Sequence, residues 1–252
     1  MARRGGDKLH HRKKELEKKD FRRQTNNKSK VFDIIIACED ESSAPTYFRK
    51  IVEELKKERL ITPDSFVIVK HKHTNPQGVL EDLKNYEDKH GKTYKDFAHK
   101  WIVIDRDRER VNGGGHKAED FNNALRNAKN KRANLNVEVA YANDSFELWY
   151  LLHFDYINTP LMRDEINKRL IKKLQNQNEY KFSQLDKNSI KQANYTKHIF
   201  DEILPLQETA IQNAKNLLQS YGINHNPEQD NPSTTIYILV ELLNNLSKES
   251  KS

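Results

Sequence analysis

Two short stretches place acids where an apolar run ends. In IIIACEDESS (34–43) small and apolar residues lead into Glu39, Asp40 and Glu41, and in IDRDRE (104–109) Asp105, Asp107 and Glu109 alternate with arginines. Alternate side chains of an extended segment share a side, so Asp105, Asp107 and Glu109 can present carboxylates to one volume. Carboxylate oxygens suit a hard cation such as Mg2+ or Mn2+, with water completing its shell. Unpaired acids at a strand end would repel one another. The alternative is a solvated loop in which they pair with Arg106, Arg108 and Arg110. Crowding also raises the pKa of one carboxylate, which makes Glu39 a candidate for acid–base work.

Positioning these acids requires a sheet. VFDIIIAC (31–38), SFVIVKH (65–71), KWIVID (100–105) and NVEVAYA (136–142) are rich in β-branched and aromatic residues and predict four strands. Helical spacing between them predicts helices over 46–59, 76–89 and 117–131. Such alternation predicts an α/β fold with a parallel four-stranded sheet flanked by helices over residues 31–155. Ligands of parallel sheets bind beyond the carboxyl ends of the strands, where both acidic stretches fall. Beyond residue 155 the pattern predicts a helical C-terminal half, 156–252, with helices over 161–174, 189–204, 206–221 and 232–246, the last capped by Asn231 with Pro232 in its first turn.

Other residues carry weaker signals. In ANDSFELWYLLHF (142–154), Phe146, Trp149, Tyr150 and His153 follow the spacing of a helix core stripe. Asn143 and Glu147 lie one turn apart and can face the carboxyl end of the fourth strand together, which makes Glu147 a candidate acid at or behind the metal, the alternative being a cap or a structural salt bridge. His71 and His73 alternate with Lys70 and Lys72, a pattern that suits surface contacts to phosphate better than a metal lacking a third ligand. Cys38 has no local base and reads as a small buried residue. The run NGGG (112–115) lacks the Lys-Ser/Thr ending of a nucleotide-binding loop and reads as a mobile loop over the acidic site.

The charge is lopsided. The formal net charge is +7, but residues 1–30 hold 12 Lys or Arg against 4 Asp or Glu, which leaves the rest of the chain close to neutral. This basic N-terminal arm, with Arg3, Arg4, Arg12, Lys13, Lys14, Arg22 and Arg23, can hold a polynucleotide backbone with little sequence selectivity, and Lys70 and Lys72 could add to it. A single cysteine excludes an internal disulfide, and no apolar run approaches the ~20 residues that span a bilayer. The opening residues lack the apolar stretch of a secretory signal, so a cytoplasmic protein is expected.

A glutamate after a first hydrophobic strand and Asp-x-Asp after a later one, in an alternating α/β chain, resemble the Toprim domain of topoisomerases, primases and related nucleases. With the basic arm, IIIACEDESSAPTYF (34–48), WIVIDRD (101–107), ANDSFELWYLLHF and NPSTTIYILVELL (231–243), the chain resembles the RloB-like family of bacterial defence proteins, also called the AbiL second-component type. The resemblance implies a metal-dependent Toprim nuclease, with Glu39 as the Toprim glutamate and Asp105 and Asp107 as the aspartate pair. It implies an ABC-type ATPase as partner, abortive phage defence, and a homodimer or a latent complex with the ATPase. Cleavage of RNA, tRNA in particular, follows from analogy with related effectors. The family loop commonly reads Cys-Glu-Gly-Glu-Lys-Thr-Glu-Pro, whereas this chain has Cys38 to Pro45 as CEDESSAP, leaving Glu41 or Glu109 as possible further metal ligands. A non-catalytic nucleic-acid-binding or ATPase-regulating adaptor and a DNA-nicking Toprim nuclease are the rival expectations.

Overall fold

The computed structural model describes residues 33–57, 65–111, 113–130, 132 and 135–249. The basic arm, and with it Arg3, Arg4, Arg12, Lys13, Lys14, Arg22 and Arg23, lies outside the described residues.

Strands β1 (Ile34–Cys38), β2 (Phe66–Ile68), β3 (His99–Asp105) and β4 (Glu138–Asn143) are parallel, in the spatial order β2-β1-β3-β4. All four lie within the stretches expected, give or take a residue. The sheet nevertheless has five strands and is mixed. β5 (Ser233–Thr234) pairs antiparallel with β4, with Ala142 opposite Thr234. This corrects the four-stranded parallel expectation and the capped helix over 232–246. The Asn231 side chain accepts from the Leu161 N–H and donates to Asn143, so it caps nothing, and the last helix starts at Ile236.

Pleating sorts the core into two layers. Ile35, Ala37, Ile102 and Ile104 pack with α2 (Pro76–Lys84) and α3 (Ala118–Ala128) on one face. Ile34, Ile36, Cys38, Trp101 and Val103 face the other layer. That layer holds α1 (Ser43–Lys57), α4 (Glu147–Leu152), α5 (Arg163–Gln177), α7 (Ala193–Ile203), α8 (Gln207–Tyr221) and α9 (Ile236–Glu249). A one-turn α6 (Glu179–Phe182) follows α5 and buries Phe182.

Helix α4 is the centre of the thicker layer. Phe146, Trp149, Tyr150 and His153 form its expected stripe, but Leu148, Leu151 and Leu152 are buried as well, so the helix is enclosed on all sides. The Tyr47 ring meets Phe146, Trp149 and Tyr150 at centroid separations of 5.9–6.1 Å. Burial lowers the pKa of His153 to about 4, which keeps its imidazole neutral in the core.

β1 is followed by its neighbour on one side, β2, and the chain then returns to its neighbour on the other, β3. The carboxyl ends of β1 and β3 therefore flank the topological switch point, the crevice at which open α/β sheets bind ligands. Glu39 and Asp105 stand at those two ends.

Candidate active site

β1 and β3 stay paired past the regular ladder, the Glu39 N–H donating to the Val103 carbonyl at 3.0 Å. Glu39 Oε2 accepts the Asp105 N–H at 3.0 Å, which joins the two acidic stretches directly. Asp105 continues the Trp101–Val103 side of β3 and so meets the helical layer. There Arg163, the first residue of α5, spans two aspartates, its Nη2 lying 2.9 Å from Asp105 Oδ2 and its Nη1 3.0 Å from Asp107 Oδ2. Asp107 has left the strand with φ +30°, a region asparagine and aspartate tolerate better than other side chains.

On the other side, Glu39 Oε1 meets His116 Nε2 at 2.6 Å. The run 113–115 delivers this histidine. It is a bonded turn, with the Arg110 N–H donating to Gly114 and the His116 N–H to Asp107 at 2.6 Å. At Gly115, with φ +84°, an added Cβ would lie 2.7 Å from the Asp107 carbonyl oxygen, and nearer still to that of Arg108. Gly115→Ala is therefore expected to shift His116 off Glu39 and to lower thermal stability by about 1–3 kcal/mol more than Gly113→Ala, which shares the positive φ, at +90°, but meets open space, read by calorimetry. Equal losses in the two variants would contradict this.

The third acid is Glu147, fully buried at the start of α4. Its Oε1 accepts from the Ser43 hydroxyl at 2.9 Å and lies 3.3 Å from Lys191 Nζ. Ser43 stands where the family loop commonly has threonine, so the hydroxyl is kept. Asp40 is spent differently, accepting from the N–H groups of Ser43 and Ala44 at the start of α1 at 2.6 and 3.1 Å.

Burial and charge pull these groups in opposite directions. Burial pushes the Glu39 carboxyl up, with His116 restraining the rise, and pushes Asp105 well above the usual range despite Arg163. The bond to Glu39 raises His116 against its own burial. Burial would raise Glu147 too, but Lys191 and Arg163 outweigh it and hold its pKa at about 2. A depressed carboxylate stabilises the fold above its unfolded pKa and loses that contribution as pH falls through the folded value. The Glu147 contribution, on the order of 3 kcal/mol, is thus expected to vanish between about pH 4.5 and 2. Acid titrations of stability should show this limb in wild type and a shallower one in Glu147→Gln. Parallel limbs would count against it.

The remaining expected residues are dispersed. Glu109 is exposed and does not join Asp105 and Asp107, and Glu41 is exposed with His71 Nε2 4.0 Å away. Of the arginines offered as partners, only Arg110 pairs with an acid of its loop, Asp107, at 2.7 Å; Arg106 pairs with Glu228 and Arg108 donates to the carbonyls of residues 228 and 229. The loop is buried at Asp105, Arg106 and Asp107, contrary to a solvated one. Asn143 does not face Glu147. Its amide donates to the Pro227 and Glu228 carbonyls and fastens the segment before β5. His71 bonds the Cys38 carbonyl and His73 pairs with Asp82, so the two histidines serve separate structural bonds. Lys70 is exposed and lines a cavity of about 210 Å3 with Asp40, Glu41, Arg49 and His71, and Lys72 is exposed nearby in the chain. Burial raises the Cys38 thiol, as befits a core residue.

Three functional groups were absent from the sequence reading: His116, Arg163 and Lys191. They are the cations that offset the acids. The donor set of Glu39, Asp105 and Asp107 is hard oxygen, which suits Mg2+ or Mn2+. As arranged, no group of three His, Cys, Asp or Glu among the described residues is placed to hold a metal, and a guanidinium stands between Asp105 and Asp107. Buried polar atoms without partners gather here too: Ser42 Oγ, Ser145 Oγ, Glu147 Oε2 and Arg163 Nε.

Among the described residues no helix is long and apolar enough to cross a membrane. Neither the curated proteins nor the solved structures contain a match to the chain. The sequence model of the RloB-like protein family matches residues 34–243, from the first residue of β1 into α9, and the chain belongs to that family.

Proposed function

We propose that the chain is a metal-dependent, Toprim-type nuclease that cleaves RNA phosphodiester bonds, tRNA being the expected class, as the cytoplasmic effector of a partner ABC-type ATPase in abortive phage defence. A homodimer or a latent complex with that ATPase belongs to the same proposal. The observation that carries it is the meeting of Glu39 with Asp105 at the switch point of the sheet, bonded through the Asp105 N–H, with Asp107 tied to Asp105 through Arg163. Fold alone would not suffice, since function resides in the site.

A hard divalent cation held by Glu39, Asp105 and Asp107 would draw charge from the scissile phosphate and the leaving oxygen. The chain's own groups do the rest. Arg163 and Lys191 offer fixed positive charge where a phosphate would develop more negative charge. His116, oriented by Glu39 at 2.6 Å, can hold a proton for the leaving oxygen. Lys191 also keeps Glu147 ionised, so the floor of the site stays anionic.

One observation favours the adaptor reading, in which nucleic acid or the ATPase is bound without catalysis: Arg163 already fills the seat between Asp105 and Asp107. Cleavage of end-labelled tRNA by the purified chain with Mg2+ separates the readings. The nuclease reading expects cleavage that chelation stops and Asp105→Asn lowers at least a hundredfold. Cleavage indifferent to Asp105, or none with a metal-bound protein, sinks it.

A further inference from the structure

Helix α5 presents Asp164, Lys168, Ile171, Lys172 and Gln175 along one face, at spacings of four, three, one and three residues. Leu185, Asp186 and Lys187, from the segment after α6, face them across a groove of about 600 Å3. The floor is apolar, from Ile171 and Leu185, and the rims are lysine. Lys168 is 81% exposed and only 4.0 Å from Glu165, a weak pair. Among the described residues Lys172 and Lys187 have no carboxylate within ion-pair distance, and both are exposed. The acids of the groove are already committed: Asp186 accepts from the N–H groups of Asn188 and Ser189 and from the Ser189 hydroxyl, and Asp164 sits in the first turn of α5, where a carboxylate offsets the helix dipole.

Both walls connect along the chain to residues of the acidic site. Asp164 adjoins Arg163, which holds Asp105 and Asp107, and the other wall continues from Lys187 to Lys191, at 3.3 Å from Glu147. Lys172 to Arg163 spans nine residues of helix, about 13 Å. Lysines thus rim an apolar floor, and each wall runs along the chain to a cation of the acidic site, Arg163 or Lys191.

We propose that this groove carries a single strand of RNA into the acidic site, its phosphates on Lys168, Lys172 and Lys187. The inference deepens the nuclease reading and rests on it for the identity of the ligand, but it concerns binding alone. It assigns the strand's path to the C-terminal half, apart from both the basic arm and Lys70.

The test uses the full chain with chelator present, so that nothing is cleaved, and the anisotropy of a labelled 15-nucleotide single-stranded RNA of mixed sequence. Lys168→Gln, Lys172→Gln and Lys187→Gln are combined in one variant. A second variant carries Lys89→Gln, Lys95→Gln and Lys129→Gln, exposed lysines elsewhere. The groove variant is expected to bind at least tenfold more weakly at moderate salt. Its slope of log affinity against log salt should be smaller by about 2, from three lost phosphate contacts at about 0.7 each. The second variant should match wild type. Equal losses in both variants, no loss in the groove variant, no binding by wild type, or displacement of the RNA by a polyglutamate peptide of equal charge would overturn the proposal. Groove-dependent binding without Asp105-dependent cleavage would sink the nuclease reading and leave the groove standing.

Discussion

Replacing Arg163 by glutamine is expected to tighten Mn2+ binding roughly ten- to a hundredfold, because the variant removes the cation that competes for the same oxygens. The guanidinium contacts Asp105 and Asp107 at 2.9 and 3.0 Å and leaves its own buried Nε without a partner, so it satisfies the acids better than they satisfy it. Its place at the first residue of α5 sets a positive charge at the positive end of a helix, which the acids must outweigh. Without metal the variant leaves the buried Asp105 without its guanidinium, while Asp107 keeps Arg110 at 2.7 Å, and a loss of about 3–5 kcal/mol is expected. Mn2+ should then raise its melting temperature more than that of wild type, since a ligand that binds only the native state stabilises it by mass action. Electron paramagnetic resonance of Mn2+ and thermal melts give the two readouts independently of any nuclease assay. Unchanged affinity would mean that Arg163 is a structural ion pair and that the acids are not a metal seat.

Lys191→Met should be the most damaging single change in the helical half. It strands the fully buried Glu147 without its nearest ammonium, at a cost of about 3–5 kcal/mol. Lys191 stays protonated because Glu147, Asp40 and Asp105 outweigh its burial, so the loss is of charge and not only of packing. Glu147 should then titrate nearer its ordinary value, which flattens the acid limb of stability between about pH 4.5 and 2. Adding Glu147→Gln should recover part of the loss, because the stranded charge is gone, and the double-mutant cycle measures the coupling. A Lys191→Met protein as stable as wild type, with the limb unchanged, would show that Glu147 is balanced by other groups.

Much of this arrangement is legible in local sequence. β1, β3 and β4 announce themselves through runs of β-branched and aromatic residues, and the acids at their ends mark a crevice wherever strands alternate with helices. The cations are not legible in the same way. His116 and Arg163 reach their acids across 77 and 58 residues, and nothing beside them signals a partner: one follows a glycine run, the other opens a polar helix. Lys191 lies in a polar segment, NSIKQ, that looks like surface. β5 escapes because two residues cannot show a period, and Pro232 before Ser233 resembles a helix start. Its pairing depends on Tyr141, whose carbonyl accepts from the Thr234 hydroxyl at 2.7 Å. Crowded, buried carboxylates impose a need for positive charge beside them. The chain meets it with its own side chains, which sequence spacing does not disclose.

The most direct test of the central claim is the sequencing of RNA ends from cells expressing wild type or Asp105→Ala, with protein levels and melting temperatures of both confirmed. Sharp new ends, concentrated in tRNA, are expected with wild type and absent with the variant. Identical end profiles from two equally folded proteins, with the partner ATPase present, would contradict that claim.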